Sequence, residues 1–113
     1  MAVIGWHNKP ESWVVAGWAF RQVLEDVRSQ CPNDVEMVSQ IELARDLKYL
    51  FIDSFSRPFA ERLAKAIRNT ASGILSGQIR SGLLDKPYCD ANAIAEYCSA
   101  LRELVAVVSD RTV

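Results

Sequence analysis

The feature that most constrains the fold of this chain is an apolar repeat between residues 91 and 108. Apolar residues recur there at alternating intervals of three and four, a spacing that places side chains on one face of a helix and is typical of coiled-coil seams. The repeat comprises Ala91, Ile94, Cys98, Leu101, Val105 and Val108. It predicts a helix over residues 87–109 that packs against another helix.

Three further segments show helical spacing of their apolar residues. The helices predicted from them span residues 10–30, 34–55 and 57–80. The connections between the four helices are short, and short connections favour antiparallel neighbours. We therefore expect an all-α fold, an antiparallel four-helix bundle that forms a single helical domain over residues 1–113.

Capping residues support the starts of these helices. Asn8 with Glu11 three residues later is typical of an N-terminal capping pair, and Asn33 or Asp34 is expected to cap the second helix. Ser56 has the same role before the third helix. Three Ser-Gly pairs follow at the far end of that helix, and glycine weakens a helix, so we expect the end to fray or bend and to stop near residues 80–82.

The composition is that of a globular protein. Hydrophobic residues make up 50% of the 113 residues, charged residues 24%, and the net charge is -1. Such a chain is neither disordered nor a strongly basic nucleic-acid-binding domain. The three cysteines are odd in number and show no Cys-x-x-Cys spacing, which favours a reducing compartment. With no signal peptide and no apolar run longer than eight residues, a cytoplasmic protein without a membrane span is expected.

Residues suited to catalysis are scarce. His7 is the single histidine, so a Ser-His-Asp triad or a histidine-based metal site would have to use it. The Glu-x-x-His motif of di-metal bundles is missing. The stretch from Gly77 to Gly82 has the glycine spacing of a phosphate-binding loop, but Leu83 and Leu84 replace its Lys and Ser or Thr. We expect no enzyme activity, no metal and no cofactor.

The second predicted helix carries an acidic ridge. Glu42, Asp46, Tyr49 and Asp53 are spaced i, i+4, i+7 and i+11, and residues 25–53 hold seven acidic against three basic residues, a net charge of -4. Tyr is enriched at binding hot spots. The ridge predicts a docking face for a basic partner; the alternative is an ordinary solvated helix face.

The third predicted helix has the opposite charge. Residues 57–80 carry five basic residues against one acidic residue, a net charge of +4, and Arg62, Lys65 and Arg68 lie together on its polar side. This face would contact nucleic acid or an acidic protein. The alternative is intramolecular, with the basic face lying beside the acidic helix.

Trp18 lies away from the apolar face of the first predicted helix, beside Arg21 and Glu25. It is either covered by residues 1–6 folding back or exposed. An exposed Trp would be a candidate binding hot spot. We include Trp18 with the acidic ridge as a predicted partner-binding residue.

A small helical domain without catalytic groups is most simply a binding module. In class, the acidic ridge with its Tyr resembles the bacterial colicin nuclease immunity proteins, which are helical and acidic and place Tyr in their docking face. None of their signature sequence is present here. The resemblance implies an immunity protein that occludes a basic toxin, for example a nuclease. Two alternatives stay open: a nucleic-acid-associated regulator that uses the basic third helix, and a helical assembly subunit or homodimer built on the fourth-helix seam.

Overall fold

The computed structural model describes residues 1–7 and 12–109, and in these residues it contains a three-stranded sheet as well as four α-helices. The expected all-α antiparallel bundle is therefore wrong, although the four helices exist. The elements are β1 (Ala2–Gly5), β2 (Trp13–Val15), α1 (Gly17–Gln30), α2 (Val35–Leu47), β3 (Tyr49–Phe51), a 3-10 turn (Ile52–Ser54), α3 (Arg57–Ser76), a second 3-10 turn (Gly82–Asp85) and α4 (Ala91–Ser109).

The sheet has the strand order β2-β1-β3 and is mixed. Strand β1 pairs antiparallel with β2 and parallel with β3. Its register places Trp13, Ile4 and Leu50 in one row across the three strands, and all three side chains are buried. Because side chains alternate between the two faces of a strand, this row forms the face that packs on the helices.

The first helix is shorter than expected because its predicted start belongs to the sheet. Residues 13–15 form β2, and α1 begins at Gly17 after Ala16. The uninterrupted apolar run from Trp13 to Phe20 conceals this boundary, since periodicity alone does not separate a short buried strand from a helix. The predicted caps Asn8 and Glu11 lie outside the described residues.

The second helix begins as expected and ends eight residues early. Asp34 is its N-cap, and its Oδ1 accepts a hydrogen bond from the backbone N–H of Met37 at 3.1 Å. The helix stops after Leu47, where Lys48 adopts a left-handed conformation with φ of 66°. The aromatic residues Tyr49 and Phe51 that follow favour extended structure, and residues 49–51 form β3.

The third helix begins after Ser56 as expected, although the Ser56 side chain makes no capping hydrogen bond. It ends at Ser76, before the expected stop near residues 80–82. Gly77 takes a left-handed φ of 82°, which glycine adopts without steric cost, and its N–H bonds the carbonyl oxygens of Gly73 and Ile74. The chain then folds back so tightly that a Cβ on Gly73 would overlap the side chain of Ile79.

The fourth helix begins at Ala91, four residues later than expected, and its buried face is rotated from the predicted stripe. Leu101 and Val108 are buried as expected, but Ala91 and Ile94 are exposed. The buried face also includes Tyr97, Ala100 and Leu104. The rotation follows from β2, because the indole Nε1–H of Trp13 donates to the carbonyl oxygen of Ala100 at 2.8 Å.

Candidate protein-binding surface

The outer face of the sheet is apolar. The register that buries Ile4 turns Val14, Val3 and Tyr49 outward in a neighbouring row. Val14 is 48% exposed and Tyr49 is 45% exposed, while Val3 is half-buried. Antiparallel sheets that face water on one side ordinarily carry polar residues there. The exposed row of this sheet therefore departs from the pattern expected of a solvated face.

Helix α2 extends this apolar surface. Its Leu43 and Leu47 are 52% and 45% exposed, and they line a shallow depression of about 150 Å³ with Tyr49 and Phe51. The rings of Tyr49 and Phe51 lie 5.4 Å apart between centroids. We call the whole surface the sheet patch, defined by Val3, Val14, Leu43, Leu47, Tyr49 and Phe51. It combines aromatic and aliphatic side chains at a strand edge, the composition found at the centres of interfaces.

The predicted acidic ridge does not exist as one helix face. Because α2 ends at Leu47, only Glu42 and Asp46 lie on it, whereas Tyr49 belongs to β3 and Asp53 to the following 3-10 turn. The expectation of one continuous ridge was wrong for that reason. Tyr49 is nevertheless brought into the sheet patch, and Asp46 lies beside Leu47 at the border of that patch.

Two of the three predicted carboxylates already have partners. Oε1 of Glu42 lies 3.0 Å from Nη2 of Arg28, and both side chains are about half exposed. Asp53 accepts two hydrogen bonds from the backbone N–H of His7 at 3.0 and 2.9 Å, and its Oδ1 lies 3.1 Å from the His7 Nδ1. Asp46 is exposed and makes no ion pair within the described part of the chain. It is the carboxylate best placed to meet an incoming cation.

His7 belongs to the border of the sheet patch. Its ring stacks on Phe51 with 4.1 Å between centroids, and its bonds to Asp53 hold it there. The sequence offered His7 only as a poor candidate for catalysis. Here it joins the end of β1 to the segment that follows β3.

The basic face of α3 is partly neutralised within the molecule. Nη2 of Arg62 lies 3.3 Å from Oδ2 of Asp34 and 3.2 Å from Oε1 of Glu36, at the start of α2. Its guanidinium also lies 5.0 Å from the centroid of the Phe59 ring. At Arg62, therefore, the basic face of α3 lies beside acidic residues of the second helix, which was the alternative to a partner-binding face. Lys65 is exposed and Arg68 is half-buried.

Trp18 is half-buried and lies away from the residues of the sheet patch. Its ring is 6.3 Å from that of Tyr97 and 6.5 Å from that of Tyr88, measured between centroids. The Trp18 ring is partly covered by Tyr97 of α4 and by Tyr88 in the segment before α4, so it is neither fully exposed nor fully buried. Trp18 therefore contributes to a different surface from Tyr49.

The sequence analysis did not identify Asp26, a buried carboxylate with several hydrogen-bond donors around it. Asp26 is 3% exposed. Its carboxylate accepts hydrogen bonds from four donors on three segments. These are Ser81 Oγ at 2.6 Å, Tyr97 Oη at 2.7 Å, the Gly82 backbone N–H at 2.9 Å and Gln22 Nε2 at 3.1 Å. Burial first, and then the Asp26 charge, raises the pKa of the Tyr97 phenol above its usual range. The only sequence signal was an acidic residue between Val23 and Val27 on the apolar side of a helix.

The described residues show little else that suggests chemistry. No group of three His, Cys, Asp or Glu side chains in residues 1–7 and 12–109 is placed to hold a metal ion. Cys31, Cys89 and Cys98 are free and half-buried, and burial, with the nearby Asp34, raises the pKa of the Cys31 thiol. None of the helices described combines the length and apolar character that a membrane crossing requires.

We compared the chain with known protein families, proteins and structures. A scan of family models and searches of curated proteins and solved structures found no match to this chain.

Proposed function

We propose that this protein is a non-enzymatic protein-binding module and that the sheet patch docks a basic protein. One observation carries the proposal: the outer sheet row of Val14, Val3 and Tyr49 is apolar and open to solvent. Exposed apolar surface that continues onto a neighbouring helix marks interaction sites more often than isolated exposed residues do. Tyr49 is the central anchor, because Tyr combines a large contact area with a polar tip.

The charge around the sheet patch favours a basic partner. Asp46 borders the patch without an ion pair to any described residue, and Glu42, which precedes Leu43 on the same helix, is in an exposed pair with Arg28. Exposed pairs contribute little to stability and can exchange partners at low cost. Acidic groups at the rim would raise the rate of association with a basic surface, while the apolar centre would slow dissociation.

The biological role we propose within this function is neutralisation of a toxin. A module that covers the basic surface of a toxin domain, for example a nuclease, would block that toxin by occlusion alone. This needs no catalytic group in the module. The nucleic-acid alternative has less support, because Asp34 and Glu36 place two carboxylates beside Arg62, and these would repel a phosphate backbone at that point.

Site-specific photo-crosslinking in the native cell tests the proposal. A photoreactive phenylalanine analogue is placed at Tyr49, and a matched one replaces the exposed Glu103 on α4. We expect one basic protein to be captured from position 49 and not from position 103, and the purified partner to associate more slowly as salt is raised. The variant Asp46→Lys should slow that association further. Loss of the partner's toxicity on co-expression would establish the toxin-neutralising role.

Other results would contradict the proposal. Capture of a second copy of this chain from position 49 would indicate a homodimer through the sheet, and capture of nucleic acid from that position would mean that the sheet patch docks nucleic acid and not a protein. Equal capture from positions 49 and 103 would mean that the sheet patch is not a specific surface.

A further inference from the structure

A second surface, independent of the sheet patch, contains an open cleft of about 440 Å³ between the start of α1 and the start of α4. Its aromatic wall comes from Trp18 and Tyr88, and its charged lining from Arg21, Asp90 and Glu96. The volume lies in the range of small-molecule sites, about 300 to 1,000 Å³. The protein-binding proposal does not use this cleft.

The aromatic wall is held in place from behind. The Trp18 ring packs on the buried Tyr97, with 6.3 Å between centroids, and Tyr97 is in turn bonded to Asp26. Tyr88 meets Trp18 edge to face at an interplanar angle of 73°. Because Tyr88 is 53% exposed, it leaves an apolar surface open in the cleft. Such a wall suits a hydrocarbon or aromatic group.

The charged side chains that line the cleft do not form ion pairs with one another. Arg21 lies on α1, and Asp90 and Glu96 lie at the start of α4, yet Arg21 makes no ion pair with either of them or with any other described residue. Asp90 Oδ1 accepts the Ala93 backbone N–H at 2.8 Å, which fixes that carboxylate at the helix start. Elsewhere on the same helix α1, by contrast, Glu25 pairs with Lys86 at 3.1 Å. The cleft thus receives a cation from α1 and two carboxylates from the start of α4, each without an ionic partner among the described residues.

We propose that this cleft binds a free α-amino acid with an apolar side chain. Asp90 and Glu96 would receive the ammonium group, Arg21 the carboxylate, and the Trp18–Tyr88 wall the side chain. The guanidinium suits a carboxylate because it presents several donors in one plane. An ammonium group near aromatic faces gains a further cation–π attraction. An uncharged apolar ligand would use the wall but neither charged side.

Calorimetric titration of the full chain with L-phenylalanine tests this. Two analogues serve as matched controls: phenethylamine lacks the carboxylate, and 3-phenylpropionate lacks the ammonium group. Each analogue lacks the hydrogen bonds that one charged group of the amino acid would make in the cleft. We therefore expect each analogue to bind at least about tenfold more weakly than L-phenylalanine.

Variants separate the two sides of the cleft. Arg21→Gln should weaken L-phenylalanine about tenfold and abolish its advantage over phenethylamine, because the partner of the carboxylate is gone. Glu96→Gln should reduce the advantage over 3-phenylpropionate. Glu103→Gln, an exposed change on the same helix α4, is the control and should leave every affinity unchanged.

Clear results would overturn the inference. It fails if L-phenylalanine and L-leucine give no binding at millimolar concentrations, or if the two analogues bind as well as L-phenylalanine. It also fails if Arg21→Gln and Glu96→Gln bind normally. Since both side chains are exposed, urea unfolding of each variant should match the parent protein. None of these results depends on the partner of the sheet patch.

Discussion

Asp26 and Tyr49 represent two contrasting regions of this molecule. In one a charged side chain is buried, and in the other apolar side chains are exposed. Asp26 is a charged residue with 3% of its surface exposed, and four donors surround its carboxylate. Tyr49 belongs to an apolar sheet face that is open to solvent. In the first region a polar group lies inside the protein, and in the second an apolar surface lies outside.

The difference between the two regions indicates which one stabilises the fold and which one is available to a partner. A buried carboxylate is tolerated when its hydrogen bonds are made, so the Asp26 cluster is explained within the fold, where it joins α1 to α4 and to the turn at Gly82. The sheet patch has no such internal explanation, because nothing in the described residues covers it. Changes at Asp26 should therefore affect stability, and changes in the sheet patch should affect association.

The largest effect is expected from Asp26→Ala. The substitution leaves the Tyr97 hydroxyl, the Ser81 hydroxyl and the Gly82 N–H without their acceptor in the interior. We expect the free energy of unfolding in urea to fall by about 3–5 kcal/mol.

The neighbouring Glu25 supplies a control for that prediction. It is exposed and pairs with Lys86, so Glu25→Ala should cost less than about 1 kcal/mol. If the two substitutions destabilised the protein equally, the distinction between the two regions would lose its basis.

A smaller, pH-dependent effect is expected from Tyr97. Its pKa is raised in the folded state, so below the ordinary value of 10.0 the phenol is neutral in both states and its contribution is complete. Above that pH only the unfolded state loses the proton, and stability should fall by about 1.4 kcal/mol per pH unit from this group.

The measurement is the free energy of unfolding between neutral and strongly alkaline pH. Tyr97→Phe should cost about 1.5–3 kcal/mol at neutral pH, for the lost hydrogen bond to the Asp26 carboxylate, and should remove part of the alkaline decline. Parallel declines in the parent protein and the variant would show that Tyr97 is not held neutral by its surroundings.

In the sheet patch the expected effect on stability is smaller still. Leu43→Gln with Val14→Thr keeps the helix and strand preferences while it adds polar groups to exposed positions. We expect unfolding to change by less than about 1 kcal/mol. Binding of a dye that senses exposed apolar surface should fall clearly in the same variant. A stability loss as large as that of Asp26→Ala would make the sheet patch part of the core.

The smallest effect on stability is expected at Glu42, which precedes Leu43 of the sheet patch on α2. Glu42→Gln breaks an exposed ion pair with Arg28 and should change the free energy of unfolding by less than about 0.5 kcal/mol, less at high salt. Association with the partner should nevertheless slow if the rim charge steers it. An unchanged association rate would remove Glu42 from the proposed surface.

Part of the fold could be predicted because its signals are local. Apolar spacing located all four helices, Asp34 was correctly named as a possible cap, and the third helix starts after Ser56. The ends were less accurate. Lys48 takes a left-handed conformation that Gly or Asn more often adopts, so no breaker residue announced the end of α2.

The candidate site was only partly foreseen. Tyr49 was chosen for its place on an acidic helix, and it lies instead in a strand of the sheet patch. Val14 and Leu43 were not singled out as site residues. Their exposure depends on the pairing of β1 with both β2 and β3, and no helical pattern contains that information.

The amino-acid sequence by itself determined the helical segments, since a helix is stabilised by residues three and four apart whose spacing can be seen directly. Tertiary structure alone decided the sheet, the rotation of α4 and the bonding of Asp26. Strands of three or four residues gain their hydrogen bonds only from distant segments, as when Val3 pairs with Tyr49. Likewise Asp26 became a structural residue because Ser81 and Tyr97 were brought to it by the fold.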